Sequence, residues 1–197
     1  MNLPSLQAIC AIRPSQEVLD HLDEIPNCAG VYMIFGDSQE LLEGTGYEET
    51  ESRDPFRVGG VDLLYVGSSS TLRDRIACHF KDDSQASTFR MSMGCLLRQR
   101  LDLSVYPHLT KTYFHFGQGE GRLTRWLCQN TAVAIWPCAQ APELEKALIR
   151  NLPAPINISD RRTHPYSRYL LTLRSTANGR IHRPRRQPSW VASRKRA

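Results

Sequence analysis

The chain contains three apolar runs of strand length, at residues 30–35, 62–67 and 131–136. Apolar residues at helical spacing occupy most of the stretches around them, which predicts amphipathic helices. The predicted helices cover residues 15–25, 71–80, 84–101, 121–129 and 142–152, with a short one through 169–173. The pattern therefore predicts an α+β domain in which a small central sheet of about three strands is flanked by helices.

The second run and the helix after it, residues 62–80, form the most informative stretch. A glycine and three serines end the strand, and Thr71 is the predicted N-cap of the helix. Arg75 and His79 lie four positions apart, so they share a helix face that is not the apolar one. The order of strand, turn and helix directs both side chains and Tyr65 toward one point. A solvated helix face is the other explanation for the arginine and the histidine.

Four short motifs accompany this stretch along the chain. The first strand reads GVY and contains Tyr32, and the second reads YVG and contains Tyr65. The helix at 142–152 carries E-x-x-L-I, which starts at Glu145, and the P-x-N after it ends at Asn157. With the arginine and the histidine between them, these motifs resemble the GIY-YIG nuclease family over residues 29–158.

The resemblance implies a metal-dependent endonuclease that hydrolyses DNA phosphodiester bonds with a single divalent ion, Mg²⁺ or Mn²⁺. Glu145 would bind the ion, because one carboxylate and several water molecules suit Mg²⁺. Arg75 would hold the non-bridging phosphate oxygens in a fork that lysine lacks. The resemblance also implies that the three strands pair into a mixed sheet.

The resemblance assigns the remaining roles to the tyrosines, the histidine and the asparagine. Tyr32 would act as the base and Tyr65 would orient it, although a phenol with a pKa of about 10 is a poor base at neutral pH. His79 would receive or relay the proton, and Asn157 would hold the loop after the last helix. Each residue also has an ordinary structural explanation, since strand tyrosines commonly pack in a core and asparagines commonly form turns.

Residues 36–60 depart from the family pattern, because the first two strands are usually joined by a much shorter turn. This insertion contains seven acidic residues, two basic residues and five glycines, which predicts a long exposed loop or hairpin. Two explanations remain open from the sequence: the insertion selects a partner or substrate, or it is a tolerated surface insertion.

Charge is divided unevenly along the chain. All 20 acidic residues lie at or before Asp160, and the first 160 residues carry a net charge of −6. Residues 161–197 carry 11 basic residues and no acidic one. Such a tail is typical of attraction to nucleic acid, although a solubilising tail has the same composition. The predicted nucleic-acid-binding residues are Arg161, Arg162, Arg183, Arg185, Arg186, Arg194, Lys195 and Arg196.

These features divide the chain into an N-terminal helical extension at 1–28, a GIY-YIG-like domain at 29–158 and a basic, partly disordered tail at 159–197. The six cysteines show no C-x-x-C spacing and have apolar neighbours, which favours reduced, buried thiols over disulfides. No apolar run approaches the length of a membrane span, and the first residues lack a charged leader. We therefore expect an intracellular protein that binds DNA and no membrane.

Two other classes of function fit the same sequence. One is a nucleic-acid-binding module that retains the fold without cleaving its ligand. The other is an interaction domain whose acidic insertion binds a basic partner. Metal-dependent cleavage of DNA separates the nuclease from both.

Overall fold

The computed structural model describes residues 11–43, 45–47, 51, 53–108 and 113–179. The strands in these ranges are β1 (Ile12–Pro14), β2 (Gly30–Gly36), β3 (Arg57–Val58), β4 (Val61–Ser69), β5 (Tyr106–Pro107), β6 (Phe114–His115) and β7 (Thr131–Pro137). The α-helices are α1 (Ser15–Asp20), α2 (Ser38–Leu42), α3 (Leu72–Phe80), α4 (Thr88–Leu96), α5 (Glu120–Asn130), α6 (Ala141–Asn151) and α7 (Pro165–Ala177).

Five strands form one sheet in the order β1-β7-β2-β4-β3, and each pairing in it is antiparallel. The α+β class is confirmed, whereas the count of about three strands and the mixed pairing are wrong. The two additional strands lie at the edges and have three and two residues. They are too short to show a period in the sequence. The central strand, β2, runs antiparallel to both of its neighbours, β4 and β7.

Alternate residues of β2 face two separate cores, because successive side chains of a strand point to opposite sides of the sheet. Tyr32 and Ile34 belong to the larger core, which also contains residues of α3, α4, α5 and α7. Val31, Met33 and Phe35 belong to the smaller core, which contains residues of α6. The central strand is buried along its whole length, so its tyrosine enters the larger core at a point that several helices surround.

Helix α4 begins later and ends earlier than the predicted helix at 84–101. Residues Ser84–Ala86 form a 3₁₀ turn, and α4 starts after Ser87, whose Oγ accepts the backbone N–H of Arg90 at 3.1 Å. The Arg90 side chain is fully buried and its guanidinium donates to Glu120 of α5 at 2.6 Å. This ion pair connects two helices of the larger core.

The described part of the insertion at 36–60 is only in part the exposed loop or hairpin that its composition predicts. Its end forms a hairpin, in which β3 pairs with the start of β4, but it also contains α2, and the carboxylate of Glu51 is only 6% exposed. Glu51 binds Arg53 within the insertion and Arg161 beyond α6. Arg53 also donates to the carbonyl of Arg150 at 3.0 Å. The burial of Glu51 was not predicted because one of the two arginines that neutralise it lies 110 positions further along the chain.

The C-terminal part of the described chain forms a helix that is longer than the predicted 169–173. Helix α7 packs against α4, and Tyr166 and Leu170 of α7 are buried in the larger core. The proposed division of the chain at residues 28 and 158 stays a prediction.

Five of the six cysteines lie in the described ranges, and all five are free thiols there. Cys95 and Cys128 are buried as expected, whereas the expectation of burial is wrong for Cys28, which is exposed. Among the helices in those ranges, none has the length and apolar character needed to cross a membrane.

Glu51→Gln is expected to lower the free energy of unfolding by about 3 kcal/mol at pH 7, because it leaves two buried or half-buried arginines without their carboxylate. Burial alone would raise the pKa of the Glu51 carboxyl, but Arg53 and Arg161 outweigh it and lower the pKa from 4.5 to about 2. A group with a lower pKa in the folded state stabilises above its unfolded pKa and loses that contribution as the pH falls through its folded pKa. Urea unfolding should therefore show the variant's deficit above pH 4.5 and its decline toward pH 2.

Glu17→Gln is the matched control, since Glu17 forms an exposed ion pair with Arg13. Such pairs contribute less than about 1 kcal/mol. Equal effects of the two substitutions at pH 7 would contradict a stabilising role for Glu51.

Candidate active site

Tyr32 and His79 are joined by a hydrogen bond inside the larger core. The Oη atom of Tyr32 lies 2.6 Å from Nε2 of His79, and both side chains are almost completely buried. The other ring nitrogen, Nδ1, lies 2.7 Å from Oγ of Ser87. The ring of Tyr65 meets the imidazole edge-on, with 5.9 Å between their centroids. The structure thus brings together residues of β2, β4 and α3, and it excludes a solvated helix face as the position of His79.

Two glycines of the sequence motifs permit this close packing. A Cβ atom at Gly67 would lie 2.2 Å from the Tyr32 hydroxyl. A Cβ atom at Gly30 would lie 2.5 Å from both Leu72 Cδ1 and the carbonyl oxygen of Trp136. The glycines of GVY and YVG are therefore needed for space, so that the phenol and helix α3 can approach the strands.

The hydrogen bonds of this cluster can form a connected path for a proton. Arg75 is half-buried, and its charge acts on the phenol of Tyr32. A neutral phenol has one proton to donate, and Nε2 of His79 lies in position to accept it at 2.6 Å. In that arrangement the neutral imidazole carries its hydrogen on Nδ1 and donates to Oγ of Ser87. Arg75 is oriented from behind by the carbonyl of Ala86, which accepts from it at 3.2 Å.

Burial and charge favour the neutral forms of these side chains. Burial raises the pKa of the Tyr32 phenol well above its usual value, and Tyr65 adds to the rise while Arg75 opposes it. Burial likewise raises the pKa of Tyr65. Burial, followed by the charges of Arg75 and Arg90, holds the pKa of His79 well below its usual range. The free protein therefore contains a neutral phenol–imidazole pair beside a guanidinium.

Glu145 lies near this cluster on the first half of α6. Its half-exposed carboxylate accepts a hydrogen bond from the hydroxyl of Ser68, at the end of β4. Its negative charge contributes to the raised pKa of both Tyr32 and Tyr65, so the carboxylate acts electrostatically on the two phenols. Glu145 and Tyr65 also line an open groove of about 440 Å³.

The carboxylate of Glu145 is suited to a hydrated divalent ion and not to an ion enclosed by protein ligands. Among the described residues, no group of three or more His, Cys, Asp or Glu side chains could hold a metal. Glu145 offers one carboxylate at an open groove, where the remaining coordination positions are accessible to water and phosphate oxygens. Hard cations that retain much of their hydration shell bind in this way.

Asn157 has a positioning contact with the sheet. Its Oδ1 accepts the N–H of Val66 at 2.8 Å, and its Nδ2 donates to the carbonyl of Val66 at 2.7 Å. The side chain is buried and pairs with β4 as a strand residue would. This arrangement fastens the loop after α6 to the strand that carries Tyr65.

The predicted nucleic-acid-binding arginines have different environments. Arg162 is exposed and lines the groove with Glu145. Arg161 is buried, and its guanidinium binds Glu51 and the carbonyl of Ala154, so its position does not support the expected contact with DNA. The remaining six residues, from Arg183 to Arg196, lie outside the described ranges.

Sequence reasoning missed three side chains near the site. Ser87 was detectable, because a serine before an amphipathic helix is a common N-cap. Ser68 lay inside the serine run that was interpreted as a turn. Arg174 of α7 lines the groove as well, and its position at the far end of the chain gave no signal.

His79 is expected to remain neutral at pH 6.5 in the folded protein, whereas in urea its imidazole should titrate near about 6.5. Following its Cε1–H resonance by NMR measures this difference. Arg75→Gln should shift the titration of His79 to higher pH, because it removes one of the charges that lower the pKa. Arg73→Gln is the control, since Arg73 binds the carbonyls of Ile25 and Asp23. An unshifted His79 titration in the wild type would contradict the assignment.

A comparison with family models finds a match to the GIY-YIG catalytic domain over residues 30–176. Neither the curated proteins nor the solved structures include a match to the chain. The matched residues cover more than half of the chain and contain the hydrogen-bonded cluster, Glu145 and Asn157. Domains of this family are generally nucleases and typically use divalent metal ions. The chain belongs to the GIY-YIG catalytic domain family.

Proposed function

We propose that the chain is a metal-dependent endonuclease that hydrolyses DNA phosphodiester bonds with a single divalent ion. The observation that carries this proposal is the buried hydrogen bond between Tyr32 and His79, whose phenol is under the charge of Arg75 on one side and of the half-exposed carboxylate of Glu145 on the other. This set combines a cation for phosphate, a proton-accepting pair and a ligand for a metal. Metal-dependent phosphodiester hydrolysis uses each of the three.

Arg75 would hold the scissile phosphate, because its guanidinium matches two phosphate oxygens and stabilises the charge that develops on them. The attacking water would give a proton to the oxygen of Tyr32 while Tyr32 gives its own proton to Nε2 of His79. The new P–O bond forms as the bond to the leaving oxygen breaks. In this role Tyr32 is the immediate base, His79 is the final acceptor, and Tyr65 orients the phenol by packing.

Substrate binding would itself prepare the acceptor. The charge of Arg75 is one cause of the low pKa of His79, after burial. A phosphate anion that pairs with Arg75 offsets this charge, so the pKa of His79 rises when DNA is bound. Free enzyme and complex would therefore differ in the proton affinity of the imidazole, which favours proton transfer in the complex.

Glu145 would bind the divalent ion, and Mg²⁺ or Mn²⁺ suits a lone carboxylate beside an open groove. The bound ion would polarise the phosphate, stabilise the leaving oxygen and offset the negative charge that raises the pKa of both phenols. Asn157 would act by positioning, since its polar atoms are engaged with the backbone of Val66.

DNA is the proposed partner, with Arg162 and the basic residues 180–197 supplying attraction to its backbone. We also propose an intracellular location. The free thiols of the five described cysteines support it, because a reducing compartment maintains them.

Glu145→Gln should reduce nicking of supercoiled plasmid in Mg²⁺ by about 10²–10³-fold, the loss typical of removing one charge-stabilising group. The fold should persist, because the side chain is half-exposed and glutamine retains a hydrogen-bond acceptor for Ser68. Gel assays with and without chelator measure the activity, and fluorescence anisotropy with a labelled duplex measures binding, which should change little.

Glu143→Gln is the control, since Glu143 is exposed on the same helix two positions earlier. Full activity of Glu145→Gln with Mg²⁺ still required would reject Glu145 as the metal ligand. Absence of cleavage by the wild type in both Mg²⁺ and Mn²⁺ would reject the nuclease itself and favour a non-catalytic binding module.

Removal of residues 180–197 should weaken DNA binding at moderate salt, because this segment carries seven basic residues while the first 160 residues carry a net charge of −6. The cut spares α7, which ends at Ala177. If about half of the basic residues in 161–197 contact phosphates, the slope of log affinity against log salt should change from roughly −5 in the full chain to roughly −2 in the truncated one. Cleavage should persist at low salt.

A chain in which residues 180–197 are replaced by an uncharged Gly/Ser segment of equal length controls for the length of the tail. It should behave like the truncated chain. If both chains bind DNA with unchanged affinity and salt slope, the tail does not attract DNA and a solubilising role explains its composition.

A further inference from the structure

The groove beside Glu145 continues toward helices α4 and α7. Tyr65 and Glu145 line one part of it, and Ser92 and Arg174 line another. Its volume of about 440 Å³ lies in the range of small-molecule and cofactor sites, roughly 300–1,000 Å³. The proposed chemistry uses only the part around Glu145, which leaves the polar groups of α4 and α7 without a role.

Ser92 is a buried residue whose hydroxyl is unsatisfied. It is 1% exposed, and Oγ has no hydrogen-bond partner among the described residues. Buried hydroxyls are normally hydrogen-bonded, because leaving one unpaired is destabilising. Because Ser92 also lines the groove, its hydroxyl has no hydrogen bond within the described protein to give up when a ligand binds there.

Arg174 is a half-buried cation that forms no ion pair with any described carboxylate. The contact recorded for its guanidinium is a weak one, 3.9 Å from Nη2 to the sulfur of Met91. By contrast, the buried arginines of the described chain, Arg90 and Arg161, each bind a glutamate. Burial lowers the pKa of Arg174, as expected for a cation without a counter-charge. Such a residue suits an anion that arrives from outside.

We propose that Arg174 and Ser92 form a second phosphate subsite, which binds a DNA phosphate next to the scissile one. This inference rests on the proposed nuclease function and adds positioning residues to it. The guanidinium would donate to the two non-bridging oxygens of the phosphate, and the serine hydroxyl would donate a further hydrogen bond to one of them. A strand held at both Arg75 and Arg174 would keep the scissile bond aligned with Tyr32, so the subsite would fix the register of the strand in the groove.

The test uses the full chain and a labelled duplex that contains a cleavage site mapped with the wild type. Arg174→Gln should raise KM about 10-fold or more with a smaller change in kcat, as expected for loss of a charge-assisted contact. Arg168→Gln is the control, because Arg168 is exposed on the same helix and does not line the groove. Identical KM values for the two variants, with wild-type cleavage normal, would overturn the subsite and leave the nuclease intact.

A single methylphosphonate, placed in turn at each phosphate flanking the cut, identifies the contact. At one position it should weaken the wild type by the same factor as Arg174→Gln, and it should have no further effect on that variant. Additive losses at every flanking position would overturn the assignment of Arg174 to a phosphate.

Ser92→Ala separates binding from folding. It removes an unsatisfied hydroxyl, so the melting temperature should be unchanged or higher while affinity for the duplex falls. Unchanged affinity would remove Ser92 from the subsite. Lack of cleavage by the wild type in any divalent ion would instead overturn the underlying nuclease function, and that outcome is distinct from the others.

Discussion

The site depends on the buried ion pair between Arg90 and Glu120, whose charged groups are almost inaccessible to water. Arg90 also donates to the carbonyl of His79, and Glu120 accepts two hydrogen bonds from the start of segment 84–87. That segment supplies the carbonyl that orients Arg75 and the hydroxyl that binds the imidazole. Since a buried charge without its partner is strongly destabilising, the geometry of the site is tied to the stability of the core.

Burial changes the pKa values of the two tyrosines and the histidine in this site in opposite directions, but in each case it favours the neutral side chain. It raises the pKa of both phenols and lowers that of His79, and each shift favours the neutral form. Electrostatic interactions are stronger in surroundings of low dielectric constant. A phosphate that enters here therefore changes proton affinities more than it would at an exposed surface. The same burial that keeps the free protein neutral makes the cluster responsive to its proposed substrate.

The sequence was sufficient for the features that repeat or lie close together along the chain. Apolar runs located β2, β4 and β7, and the spacing of Arg75 and His79 indicated a shared direction. The order of the motifs, and not their spacing, connected Tyr32 to that helix. The ion pairs Glu51–Arg161 and Glu120–Arg90 were beyond prediction, because in each a single carboxylate meets an arginine 110 or 30 positions away. The edge strands were missed because two or three residues carry no period.

The neighbouring residues Arg161 and Arg162 show how the acidic insertion affects the groove. Arg161 points inward to Glu51 of the insertion and to the carbonyl of Ala154, whereas Arg162 lies exposed at the groove. Asn157, a few residues earlier in the same loop, is hydrogen-bonded to Val66 of β4. The loop after α6 is therefore held from both sides, by the sheet and by the insertion. An insertion engaged in this way is part of the support of the site, because its carboxylate holds Arg161 inside the protein while the next residue, Arg162, stays exposed at the groove.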